Sequence, residues 1–126
     1  MPVRSLNSSV LKWPNRTAVD RALRDWVELE CARYPELARL GYFGSYARGD
    51  WGVGSDLDVV AIVDATDEPF ERRSLKWDLN ALPVPTEMLV YTVDEWKTIQ
   101  LRGKGFARAL MEETVWVYVK SREPTV

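Results

Sequence analysis

Two aspartates one residue apart, Asp56 and Asp58, open the otherwise apolar run DLDVVAIV (56–63). In an extended strand alternate side chains share a face, so these carboxylates project together, with Cα atoms about 6–7 Å apart. Left unpaired, two such anions repel each other and resist burial. A divalent hard cation removes that penalty, and Mg2+ in particular is held by one or two carboxylates together with waters and substrate phosphates. A turn cap at Asp56 and an arginine partner for Asp58 would explain a bare D-x-D pair equally well, so the surrounding residues have to decide. Upstream, Gly44-Ser45 ends a short apolar segment and leads into YARG (46–49). Glycine lets the backbone approach an anion closely, and the first N–H groups of a helix have no partner within it. The Ser45 hydroxyl and the Arg48 guanidinium add two further donors for a phosphate. Arg48 is also placed to tie down its own loop by pairing with Asp50 or Asp56.

The composition removes most competing chemistries. Among 126 residues there is no histidine, which excludes histidine-centred triads, the commonest general base and most zinc sites. Cys31 is alone, so neither an intrachain disulfide nor a thiolate metal cluster can form, and no base is evident to make it a nucleophile. The 17 basic and 19 acidic residues leave a formal charge of −2, too balanced for a general nucleic-acid or membrane binder. No signal-peptide core or long apolar span is visible, so a cytoplasmic protein is expected. Catalysis, if any, has to rest on carboxylates, Lys or Arg, hydroxyls and a bound metal. No Walker A loop and no dinucleotide fingerprint is present.

The elements that must position these groups alternate along a single domain. Residues 1–16 are expected to be an irregular arm, 17–120 the folded domain and 121–126 a polar tail. Thr17 and Asp20 resemble a capping box, and Val19, Leu23, Trp26, Val27 and Glu30 fall on one face of a helix over 18–33. Short strands are expected at 40–43 and 56–63, the second rich in β-branched residues. Leu75, Leu79 and Leu82 predict an amphipathic helix over 70–82, closed by Pro83 and Pro85 and exposing Arg72 and Arg73. A strand at 86–92, helices at 93–101 and 107–113 and a strand at 114–119 complete an α/β or α+β order. Trp26 and Trp77 are expected in the core, Trp51 at the domain edge, and Ser55 ordering the turn into the aspartate strand.

Together, GSYARG (44–49) and GSDLDVV (54–60) resemble the two-part signature of nucleotidyltransferases of the DNA polymerase beta-like superfamily, G-S then A-R-G then S-D-x-D. The short chain points to the minimal nucleotidyltransferase (MNT) branch. The resemblance implies a mixed β-sheet flanked by helices. It implies that Gly44 and Ser45, with Arg48 and Ser55 beside them, serve the nucleotide, and that Asp56 and Asp58 hold Mg2+. A third carboxylate, commonly an aspartate, is expected on the neighbouring strand, where TEMLVYT (86–92) offers only Glu87. Glu is one methylene longer; it could reach the metal or accept a proton, or equally mark weakened catalysis or a solvent-facing position. The implied chemistry is transfer of a nucleoside monophosphate, AMP from ATP, to a hydroxyl, with two metal ions stabilising the entering and leaving oxygens. The branch often pairs with a helical HEPN protein, in some cases as a toxin–antitoxin system in which a toxin tyrosine is adenylylated. A small stand-alone transferase acting on an antibiotic or metabolite is disfavoured by the lack of a second substrate domain, although a homo-oligomer could supply the missing wall. The alternative is a module of the same fold that binds nucleotide or partner with little or no catalysis.

Overall fold

The computed structural model describes residues 13–120 of the chain. Helix α1 (Arg16–Arg33) is followed by β1 (Leu37–Phe43), the single-turn helix α2 (Ser45–Arg48) and β2 (Leu57–Val63). After two 3-10 turns (Phe70–Lys76 and Leu79–Ala81) come β3 (Thr86–Thr92), α3 (Val93–Arg102), α4 (Phe106–Glu113) and β4 (Val115–Val119). The strands form one mixed sheet in the order β3-β2-β1-β4, with β1 antiparallel to both neighbours and β2 parallel to β3. This is the expected fold class. Most of the expected arm 1–16 and all of the tail 121–126 lie outside the described residues. No helix of the described residues is long and apolar enough to cross a membrane.

Alternation along β2 divides the core. Leu57, Val59, Ala61 and Val63 pack with Val19, Leu23, Trp26 and Val27 of α1. Val60 and Ile62 pack on the other face with Trp96 of α3 and Leu110 of α4. Asp58 therefore shares the α3–α4 side of the sheet, by the two-residue period of a strand. The α1 stripe is buried as its spacing predicts, Glu30 included, whose carboxylate accepts from Arg33 (3.1 Å) and from the Asp78 N–H (3.5 Å). Its cap is Asn15, whose Oδ1 accepts from the Ala18 N–H at 2.9 Å, and not the expected Thr17–Asp20 box. Asp20 is engaged elsewhere, accepting from the Tyr42 hydroxyl (2.8 Å) and from Arg24 Nε (2.5 Å).

The expected helix over 70–82 is instead two 3-10 turns broken at Trp77 and Asp78. Tertiary contacts override the local pattern here. Trp77 turns into the core against Trp26 and Tyr34, and Trp26 Nε1 donates to the Asp78 carbonyl at 2.9 Å. Leu75, counted on the apolar face, is 68% exposed. Arg73 is not a solvated helix residue either. Its side chain is only 10% exposed, forks onto both Glu95 oxygens (2.7 and 3.1 Å) and donates to the carbonyls of Val90 and Glu68.

Candidate active site

β1 ends at Phe43, and the chain leaves it through Gly44 at φ 77°, ψ −151°. That region is open only to glycine. A Cβ built at Gly44 would also collide with Oδ2 of Asp58. The glycine is thus required by its backbone and by the carboxylate lying against it. Ser45 begins α2, and the Gly49 N–H returns to the Ser45 carbonyl with Gly49 at φ 90°. Downstream, Ser55 Oγ accepts from the Gly52 N–H at 2.7 Å and fixes the turn before β2, as expected. Trp51 stacks on Tyr46 with ring centroids 5.6 Å apart, a role in packing the loop.

Register does the rest. Phe43 of β1 lies opposite Asp58, and Asp58 is paired with Glu87 of β3. Partners in neighbouring strands share a face and lie about 4.8 Å apart. Phe43, Asp58 and Glu87 therefore cross three strands in a line at one end of the sheet, and Gly44, the residue after Phe43, lies against the Asp58 carboxylate. Asp56 precedes β2 and is exposed, Asp58 is half-buried, and Glu87 is exposed. Asp56 and Asp58 line an open cleft of about 390 Å3 with Phe43, Gly44, Ser45 and Arg48 on one side and Phe106, Ala109 and Glu113 of α4 on the other. Glu87 stands beside this cleft, next to Asp58, and not within its wall.

Burial holds the Asp58 carboxyl above the usual carboxylate range, and the negative charges of Glu87 and Asp56 push the same way. The Arg48 guanidinium works against them, and no hydrogen bond offsets the shift. Arg48 itself pairs with Asp50 (3.1 Å) and with Glu113 (3.4 Å), so the expected loop tie to Asp50 exists alongside its place in the cleft. Two groups in the cleft wall were not foreseen from the sequence. Phe106, 57% exposed, meets Phe43 edge-on at 5.9 Å and brings α4 over the site. Glu113 reaches both Arg48 and the Gly44 N–H. Both lie on one helical stripe of FARALMEE (106–113), a spacing visible in the sequence but carrying no motif.

Among the described residues no three His, Cys, Asp or Glu side chains enclose a point where a metal ion could be held by protein alone. The donors present are oxygen donors with uncompensated negative charge, which fits Mg2+ held by one or two carboxylates and completed by substrate phosphates. A soft or borderline metal would want thiolate or imidazole, and the cleft has neither.

A glycine-bounded turn, Asp56 and Asp58 at the start of β2 and the register partner Glu87 stand together at one end of a mixed sheet. The chain belongs to the nucleotidyltransferase domain family, whose description matches residues 24–117. It is a transferase domain of the family its signature resembles. In fold it is similar to a protein of Sulfolobus solfataricus provisionally described as a nucleotidyltransferase (TM-score 0.61, 18% identity, 83% of this chain and 84% of that one). It is also similar to a chain of the toxin–antitoxin pair MntA–HpeT, in a mutant form (TM-score 0.50, 15% identity, 75% of this chain and 70% of that one). No curated protein matches the chain in sequence.

Proposed function

We propose that this domain is a Mg2+-dependent nucleotidyltransferase that moves AMP from ATP onto a hydroxyl carried by a partner protein. The single observation that supports this most is Asp58, in register with Glu87 and lying against Gly44, with Asp56 in the same cleft. Asp56 and Asp58 would hold the metal, with Glu87 beside them on the acceptor side. Mg2+, when bound, supplies positive charge against the phosphates. The Gly44 N–H, Ser45 and Arg48 offer donors to a phosphate. The acceptor oxygen bonds to the α-phosphorus while the bond to the bridging oxygen of the β-phosphate breaks, so pyrophosphate leaves with that electron pair. Glu87, exposed and next to Asp58, is placed to take the acceptor proton. The cleft is open and has no second domain around it among the described residues. An acceptor presented by another protein suits that shape, and a tyrosine of a helical HEPN-type partner is the acceptor we infer. The fold likeness to a chain of a toxin–antitoxin pair supports a protein partner.

A second reading has its own observation. Glu87 stands outside the cleft wall, which favours a nucleotide- or partner-binding module with weak catalysis. Labelled ATP separates the two. With Mg2+ and a purified helical partner, label at the α-phosphate should pass to the partner and label at the γ-phosphate should not. Transfer should be lost in Asp56→Ala/Asp58→Ala. No transfer of either label, with nucleotide binding intact, would establish the module.

A further inference from the structure

One oxygen of Glu113, Oε1, accepts from two donors at once: the backbone N–H of Gly44 and Nη1 of Arg48, each at 3.4 Å. These are the kinds of donor that a phosphate oxygen would use in this cleft, a backbone amide at a glycine and a guanidinium. Glu113 is the last residue of α4, its side chain 29% exposed, and it lines the same cleft as Asp56 and Asp58. A carboxylate placed there adds a further negative charge to a cleft that already holds Asp56 and Asp58. What it gains is a partner for Arg48 and for the Gly44 amide. Both contacts are long compared with the 2.7–2.9 Å of a well-formed charge-assisted bond, so they are weak and exchangeable.

From this we infer that Glu113 is an internal stand-in for the nucleotide's phosphate. It holds Gly44 N–H and Arg48 when no nucleotide is bound, and a polyphosphate has to displace it to enter. The inference rests on the nucleotidyltransferase reading and deepens it, making Glu113 a residue that sets affinity for the triphosphate without taking part in the chemistry. Only a side-chain rotation of Glu113 is needed for release, since Leu110, one turn earlier, keeps α4 seated in the core. Selectivity follows as well: a ligand with one weakly placed anionic oxygen competes poorly with Glu113, whereas a triphosphate brings several.

The test is calorimetric titration of Mg-ATP, and of inorganic tripolyphosphate with Mg2+, into the full chain and its variants. Glu113→Gln and Glu113→Ala remove the competing charge. Glu112→Gln removes one charge from the same helix at a residue that, among the described residues, pairs with exposed Arg108, and so controls for net charge. Circular dichroism checks that each variant is folded, and the two Glu113 substitutions back each other up. Both ligands should bind Glu113→Gln and Glu113→Ala about 2- to 5-fold more tightly than wild type, the range expected for losing one partly exposed ionic competitor. Glu112→Gln should bind as wild type does. Tighter binding confined to Glu113 variants, including binding that appears only in them, supports the inference. Equal gains in Glu112→Gln, no change, or weaker binding in Glu113→Gln overturns it while leaving the nucleotide reading intact. No binding of either ligand by any folded protein, the Glu113 variants included, removes the nucleotide reading and this inference with it.

Discussion

At Gly44 the backbone turns out of β1 in a conformation closed to any residue with a Cβ, and it does so against the carboxylate of Asp58. Gly44→Ala should lose about 1–3 kcal/mol from backbone strain alone, read as a lower denaturation midpoint, and should abolish Mg-ATP binding by driving Asp58 aside. An alanine variant with wild-type stability and binding would contradict this. Asp58 shows the opposite balance. Burial and the charges of Glu87 and Asp56 all disfavour its ionised form, so under the proposed function it holds the metal at the expense of the ligand-free fold. Asp58→Asn should therefore raise stability in metal-free buffer by about 0.5–1 kcal/mol, a modest gain because the carboxylate still touches solvent. The same variant should lose Mg-ATP binding. A stability loss on thermal unfolding would mean that Asp58 has a structural partner after all. These residues were legible in the sequence because each has a local reason: a Gly-Ser break and a D-x-D at the start of a strand. Glu113 and Phe106 were not, since they reach the cleft only through the packing of α4 on the sheet.

Among the elements, the strands and the helices α1, α3 and α4 follow their hydrophobic period, and the segment 70–82 does not. Its leucine spacing suits an α-helix, but Trp77 needs the core beside Trp26, and Arg73 needs Glu95 and the Val90 carbonyl on β3. No local pattern encodes contacts with residues so far along the chain, and those contacts win. Arg73 thus fastens the connection to the sheet edge. Arg73→Ala should destabilise the domain by about 2 kcal/mol, in line with losing hydrogen bonds to a charged group, as read from urea unfolding. The effect has a pH signature. Glu95 is held below the ordinary carboxylate range, chiefly by its bonds from Arg73, with the Thr92 N–H adding to it against the opposing effect of burial. A depressed carboxylate contributes stability above its unfolded pKa and loses it as pH falls through its folded one. The gap between wild type and Arg73→Ala should be constant near neutrality and narrow at acid pH, below the ordinary carboxylate range. A gap that is small at neutral pH, or that widens in acid, would show that Arg73 does not act through Glu95.

For the molecule as a whole, two layers of helix hold four strands so that one end of the sheet carries an open, acidic cleft. The fold class and family follow from the signature and the alternation of elements. The acceptor does not, because no residue pattern in the cleft wall identifies a particular hydroxyl. What stands or falls first is whether the cleft takes a metal-bound triphosphate. Mg-ATP should be titrated calorimetrically into wild-type protein and into Asp56→Ala/Asp58→Ala, with circular dichroism on both. The account predicts saturable binding by wild type, dependent on Mg2+, that collapses in the double variant while the fold is kept. Equal binding by both proteins, or none by well-folded wild type and by Glu113→Gln alike, would contradict it.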